Sequence, residues 1–205
     1  MQLLTDTIKV WKQPDKDFHY VVGVDPGLGR NTQTAITAWR FWFETIKKGE
    51  VSVEQEFGEH CATYAGWLMP DPTAILAKKL AAHYNNALLA VEANGHGIAV
   101  LSGLQGYKNI YMRMDLVRGK KTRSPGWLTT TRTKPYMISE VAKMLFKLEI
   151  HDQDIVEQLK HIRLNGSDYV AAGLDDIFMS MAIAVACRGN KVIKKGYVGQ
   201  AGWKW

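Results

Sequence analysis

The chain has 205 residues, enough for one ordinary domain with a sizeable core. Apolar residues make up 46% and charged residues 22%, which excludes a largely disordered chain. The formal net charge is +6, no apolar run approaches the ~20 residues that cross a bilayer, and the opening MQLLTDTIKVWKQPDKD lacks a signal-peptide core, so no membrane association and an intracellular setting are expected.

The first 17 residues are polar with scattered apolar positions and read as an arm or linker, with order beginning near Phe18. HYVVGVD is an apolar run suited to a buried strand, PGLGRNT a tight turn, and QTAITAWRFWF a second strand rich in β-branched and aromatic residues. EVSVEQEF alternates with period two and makes a third, half-exposed strand. These short connections predict three antiparallel strands in a row, followed by an irregular stretch, GEHCATYAGWLMP. DPTAILAKKLAAHYNN opens with an acid and a proline and places Ile75, Leu76, Leu80 and Tyr84 at helical spacing. ALLAVEA is a short apolar run, NGHGIAVLSGLQG a glycine-opened helix and KNIYMR a further strand, an alternation that implies a parallel part of the sheet.

Between Met112 and Lys134 lie Arg113, Arg118, Lys120, Lys121, Arg123, Arg132 and Lys134 against the single acid Asp115, a local excess as large as that of the whole chain. Concentrated in a loop or small hairpin, such charge suits a polyanion, with a phosphate backbone the foremost candidate. TKPYMISEVAKMLFKLEI then predicts an amphipathic helix with Ile138, Val141, Ala142, Leu145 and Leu148 on one face, and IRLNGSDYVAA a hairpin around Asn165 and Gly166. GLDDIFMSMAIAVACRG predicts a helix apolar nearly all round, hence buried against the sheet. The tail NKVIKKGYVGQAGWKW is expected to be poorly ordered or bound to a partner. Cys61 and Cys187 stand apart without a CxxC pattern, which predicts reduced thiols and argues against zinc. Trp39, Trp42, Trp67 and Trp127 are expected in the core rather than stacked on bases.

Three acidic positions share one kind of place. Asp25 ends the first strand, Glu92 ends a later apolar run, and Asp175 and Asp176 open the buried helix. Strands ~4.8 Å apart let such carboxylates converge, and convergent carboxylates are stable chiefly around a divalent cation. An oxygen-only set favours Mg²⁺ or Mn²⁺. Singly, each acid has an ordinary reading: a turn residue before Pro26, a strand end, a helix cap. The glycines at 23, 27 and 29 are expected to let the backbone turn close beside the ions.

The order Asp25, Glu92, Asp175/Asp176 resembles the RNase H-like nuclease superfamily, an α/β fold with a mixed central sheet, its first three strands antiparallel, flanked by helices. Through VGVDPGLGRNTQTAI, AVEANGHG, GWLTTTRTKPYMISEV and GLDDIFMSMAIA the chain is similar to the nuclease domain of the large terminase subunit of tailed bacteriophages, over about residues 18–188, with 189–205 as a tail. The resemblance implies a metal-dependent endonuclease of DNA packaging in the host cytoplasm, with Asp25, Glu92, Asp175 and Asp176 as catalytic metal ligands for a pair of Mg²⁺ or Mn²⁺ ions. One of the two aspartates would cap the helix while its neighbour ligates. It further implies Lys134 at the active site or the scissile backbone, and Thr133 capping the helix behind it. Arg118, Lys120, Lys121, Arg123, Arg132 and Lys134 would bind double-stranded DNA with little base reading. No GxxxxGK[ST] phosphate loop occurs, so on this resemblance the chain would correspond to the nuclease domain alone, with the terminase ATPase domain, the small terminase subunit and the portal as expected partners. Two alternatives remain: a RuvC-like Holliday junction resolvase, which shares DPG, and a non-catalytic nucleic-acid or packaging-partner module.

Overall fold

The computed structural model describes residues 8–29, 32–115, 120–165, 168–171 and 173–190. In chain order it contains β1 (Ile8–Val10), β2 (His19–Asp25), β3 (Thr34–Lys48), β4 (Val51–Gly66), α1 (Pro70–His83), β5 (Leu88–Val91), α2 (Gly97–Gly103), β6 (Met112–Asp115), β7 (Lys120–Pro125), α3 (Thr133–Met144), β8 (Leu148–Glu149), α4 (Gln153–His161), β9 (Ile162–Asn165), β10 (Asp168–Ala171) and α5 (Asp176–Cys187).

The main sheet runs β1-β4-β3-β2-β5, with β8 also on β4. β2, β3 and β4 are antiparallel as expected, and β5 lies parallel to β2. Beyond β5 the sheet continues in two fragments, because Leu89 pairs with Ile110 and Glu92 with Trp127. The paired β6 and β7 form a hairpin that leaves this broken edge strand after Tyr111 and returns at Gly126, whose N–H donates to the Tyr111 carbonyl at 2.8 Å. On the opposite side, β1 and β8 sit in tandem along β4, pairing at residues 62–64 and 58–59 of that strand respectively. β3 and β4 extend past their neighbours as a two-stranded ribbon, since β2 reaches only to the level of Phe41.

Several expectations are corrected. Residues 8–17, read as an arm, contribute β1, whose pairing to β4 is invisible in three residues of local sequence. GEHCATYAG is not irregular; it is the second half of β4, which runs on through a register shift opposite Ala38 and Trp39. Burial on both faces there replaces the two-residue alternation that marks its first half. Helix α3 stops at Met144, and its buried face is Met137, Ile138, Val141 and Met144, while Leu145 is exposed. Ile75 of α1 also points outward. The β9–β10 hairpin forms as expected, with Asn165 opposite Asp168, and its tip at 166–167 lies outside the described residues, as do Arg118 and the tail from 191.

Helix α5 is buried from Ile177 through Cys187. It packs on β2 and β3 in one core with Val21, Trp39, Phe41 and Val141, and α1 covers the other face with Val22, Val24, Ile36 and Leu89. The contact that sets α5 in place is Gly23, where a β-carbon would sit 2.0 Å from the Ser180 carbonyl oxygen. Ser180 Oγ donates to the Gly23 carbonyl at 2.9 Å and lies 2.9 Å from Thr37 Oγ1. Gly23 thus serves helix packing rather than a turn beside a cation. Cys61 and Cys187 are free and buried, Trp39 and Trp127 are core, and Trp67 is exposed. Half-buried Trp42 stacks on Phe57 at 6.0 Å. Among the described residues no helix is long and apolar enough to cross a membrane.

Candidate metal centre

Asp25 is the last residue of β2, opposite Ala35 on β3. On its other side Val24 pairs with Val91, and the Glu92 N–H donates to the Val24 carbonyl at 2.9 Å. The two acids therefore leave adjacent parallel strands side by side at their C-terminal ends, where open sheets present ligand-binding groups. The close approach at Gly23 brings the start of α5, and with it Asp175 and Asp176, to the same place.

The electrostatics express this convergence. Burial first, then the Glu92 charge and a hydrogen bond with Glu92, then Asp176 and Asp175, push the Asp25 carboxyl well above its ordinary value. Asp175 is raised by burial and by Glu92 against the opposing Lys134 ammonium, and Asp176 by burial and by Asp175. Asp176 Oδ2 is buried without a hydrogen-bond partner. A cluster of half-buried carboxylates, burial and neighbouring acids raising the three aspartates and one oxygen unpartnered, fits a hard divalent cation held by oxygens alone. Neither aspartate caps α5 in the way expected: Asp175 occupies the cap position, yet its side chain makes no capping hydrogen bond.

The approach to the acids is tied down by Asn94, two residues after Glu92, which the sequence did not single out. Its amide donates to the Thr129 carbonyl and accepts from the Thr129 N–H, both at 2.8 Å. Thr133 does not cap α3. Its hydroxyl donates to the Leu128 carbonyl at 2.6 Å and accepts from the Thr130 N–H at 2.8 Å, closing the turn that leads into the helix. Lys134 follows in the first turn of α3 and is close enough to act on Asp175. Lys120, Lys121 and Arg123 lie on β7, and Arg132 immediately precedes α3. Arg113 donates to the carbonyls of Gly126 and Pro125 at 3.2 and 3.4 Å, bracing the base of the hairpin.

A second ionic cluster lies further down the sheet. Glu59, 2% exposed, accepts from Arg40 Nε at 2.6 Å, lies 3.0 Å from His151 Nε2 and pairs with Lys12 Nζ at 2.7 Å. Among the described residues, Glu59, Glu149 and His151 have ligand-type atoms within 4.8 Å of one another. Lys12 and Arg40 already neutralise that trio, so the charge balance disfavours a cation there. These partners lie up to 92 residues apart in the chain, beyond the reach of any local pattern.

A mixed sheet in which β2 ends in Asp25 and the adjacent parallel β5 runs into Glu92, covered by a helix that starts in two more acids, is an α/β fold with a mixed central sheet flanked by helices. Within that class the chain has the fold of a large terminase nuclease domain. The crystal structure of the large terminase nuclease from thermophilic phage G20c with bound magnesium superposes with a TM-score of 0.61 at 17% identity, covering 88% of this chain and 87% of that one. The cobalt-bound structure gives the same values, and the zinc-bound structure gives a TM-score of 0.57 at 17% identity over 87% and 86%. No family model and no curated protein sequence matches the chain.

Proposed function

We propose that this chain is a metal-dependent endonuclease of the terminase kind, hydrolysing phosphodiesters of double-stranded DNA with little sequence preference. The observation that carries this reading is the convergence of Asp25 with Glu92, Asp175 and Asp176 at one end of the sheet, where burial first and then the neighbouring acids raise the Asp25 carboxyl. Asp25, flanked by Glu92 on one side and the α5 acids on the other, is suited to a shared ligand, with Glu92 and Asp175/Asp176 completing the set. Once held there, a pair of Mg²⁺ or Mn²⁺ ions would supply activation of water and stabilisation of the leaving oxygen. Lys134 beside Asp175 would orient a phosphate oxygen, and the Asn94–Thr129 clamp would keep that lysine in register with Glu92. Arg118, Lys120, Lys121, Arg123 and Arg132 would bind the DNA backbone, giving an affinity that falls steeply with salt. The likeness to a phage terminase nuclease supports a packaging setting in the host cytoplasm, with an ATPase domain, a small terminase subunit and a portal as partners.

The test is incubation of supercoiled and linear plasmid with the purified chain in Mn²⁺, Mg²⁺ or EDTA, alongside Asp25→Asn. Metal-dependent cleavage of plain duplex, lost in the variant, is expected. Cleavage confined to branched DNA would support a RuvC-like resolvase instead, and silence under every metal a binding module.

A further inference from the structure

An aspartate at a helix N-cap ordinarily turns its carboxylate onto a backbone N–H two or three residues along. At α5 the donor three residues along is already taken. The Phe178 N–H donates to Gln158 Oε1 on α4 at 2.8 Å, while the Asp175 side chain makes no capping bond. We propose that Gln158 is a positioning residue for the metal centre: by capping α5 from the neighbouring helix, it leaves the Asp175 carboxylate, held only by its own residue's N–H and the nearby Lys134 charge, uncommitted to the cap and able to ligate.

This inference rests on the metal-centre reading above. Helix α4 is firmly enough held to supply that acceptor. Its own cap, Asp152, accepts from the Asp154 N–H at 3.2 Å, and Lys9 from β1 bonds Asp152 and Asp154 at 3.3 and 2.8 Å. Ile155 is buried in the same core as Phe178. Gln158 therefore reaches α5 from a platform anchored at both its start and its apolar face. Without its oxygen, the Phe178 N–H would compete with a cation for Asp175, and a carboxylate engaged by a backbone donor is a poorer ligand. The partnerless Asp176 Oδ2 agrees that capping has not consumed the acids of this helix.

The experiment uses the whole chain as wild type, Gln158→Leu, Gln158→Glu, Asp175→Ala and the double variant Gln158→Leu/Asp175→Ala. Mn²⁺ binding is measured by calorimetry and the melting temperature in EDTA. Gln158→Leu should weaken Mn²⁺ binding about fivefold, the factor corresponding to one cap bond, with little change in melting, because Asp175 swings in as the cap. Gln158→Glu, which keeps an acceptor at the same reach, should bind at least as tightly as wild type. Added to Asp175→Ala, Gln158→Leu should leave Mn²⁺ affinity unchanged and lower melting by about 2–4 °C, since no cap then remains. Unaltered Mn²⁺ binding in Gln158→Leu, or equal melting losses with and without Asp175, would overturn the role of Gln158 alone. A wild-type chain that binds no Mn²⁺ would overturn the metal centre and this inference with it.

Discussion

Asp25 and Glu59 are acids of one sheet with opposite surroundings. Burial raises both carboxyls, but at Glu59 the hydrogen bonds from Lys12, His151 and Arg40 outweigh it and hold the group below its ordinary range. At Asp25 the next neighbours are further acids, and every contribution pushes the same way. Proximity of ligand-type atoms alone would choose the Glu59 cluster. Charge balance reverses the choice: a finished ion network has nothing left to offer a cation, whereas a deficit of positive charge is what a divalent ion corrects.

The sharpest way to break this contrast is to neutralise one acid in each cluster. Glu92→Gln should reduce cleavage at least about a thousandfold, the scale of several kcal/mol of metal-borne stabilisation, without lowering the melting temperature in EDTA. Glu59→Gln should leave cleavage per folded molecule intact yet cost about 3 kcal/mol in denaturant unfolding, because it strands the largely covered Arg40 guanidinium. A nuclease defect in Glu59→Gln at full folding would erase the distinction. Third in size is the stabilisation by metal. Mn²⁺ at about 100 times its dissociation constant should add about 2.7 kcal/mol to wild type and to His151→Ala, and nothing to Asp25→Asn. The Asp25→Asn chain in EDTA should itself melt about 2–4 °C higher, since a mutually repelling charge has gone.

The last effect, confined to acid pH, concerns His60, buried beside the Glu59 cluster and depressed from 6.5 to about 4, chiefly by burial. Its folded form stays neutral where the unfolded chain already takes up a proton. Stability is thus fully present above pH 6.5 and declines as pH falls toward about 4. In His60→Gln the part of the pH-melting slope within that window should flatten.

The antiparallel strands, the fully buried α5 and the acids that converge were legible because each is written in a short stretch: HYVVGVD, ALLAVEA and GLDDIFMSMAIA carry their own periodicity and their own terminal charge. What escaped depends on partners far away. β1 has no signal without β4, and the second half of β4 loses its alternation because both faces are covered. The edge strand beside β5 is split by a hairpin: KNIYMR carries the signal of its first fragment, at Ile110, but the second, at Trp127, has none of its own. Asp175 looks like a cap on local rules, and only the packing of α4 against α5 brings Gln158 to the donor. Thr133 likewise meets Leu128, five residues back, before it can serve the helix.

The split edge has a bearing on self-association. A long open strand edge is a template for another chain, and among the described residues both flanks of this sheet are closed by short pieces, β1 and β8 on one side and residues 110 and 127 on the other. Open pairing positions are left mainly on the projecting β3–β4 ribbon, where Glu44, Lys47, Glu54 and Glu56 interrupt the apolar residues with charge of both signs. Discontinuity at the flanks and charge on the ribbon together guard a β-rich protein against sheet-to-sheet aggregation at high concentration.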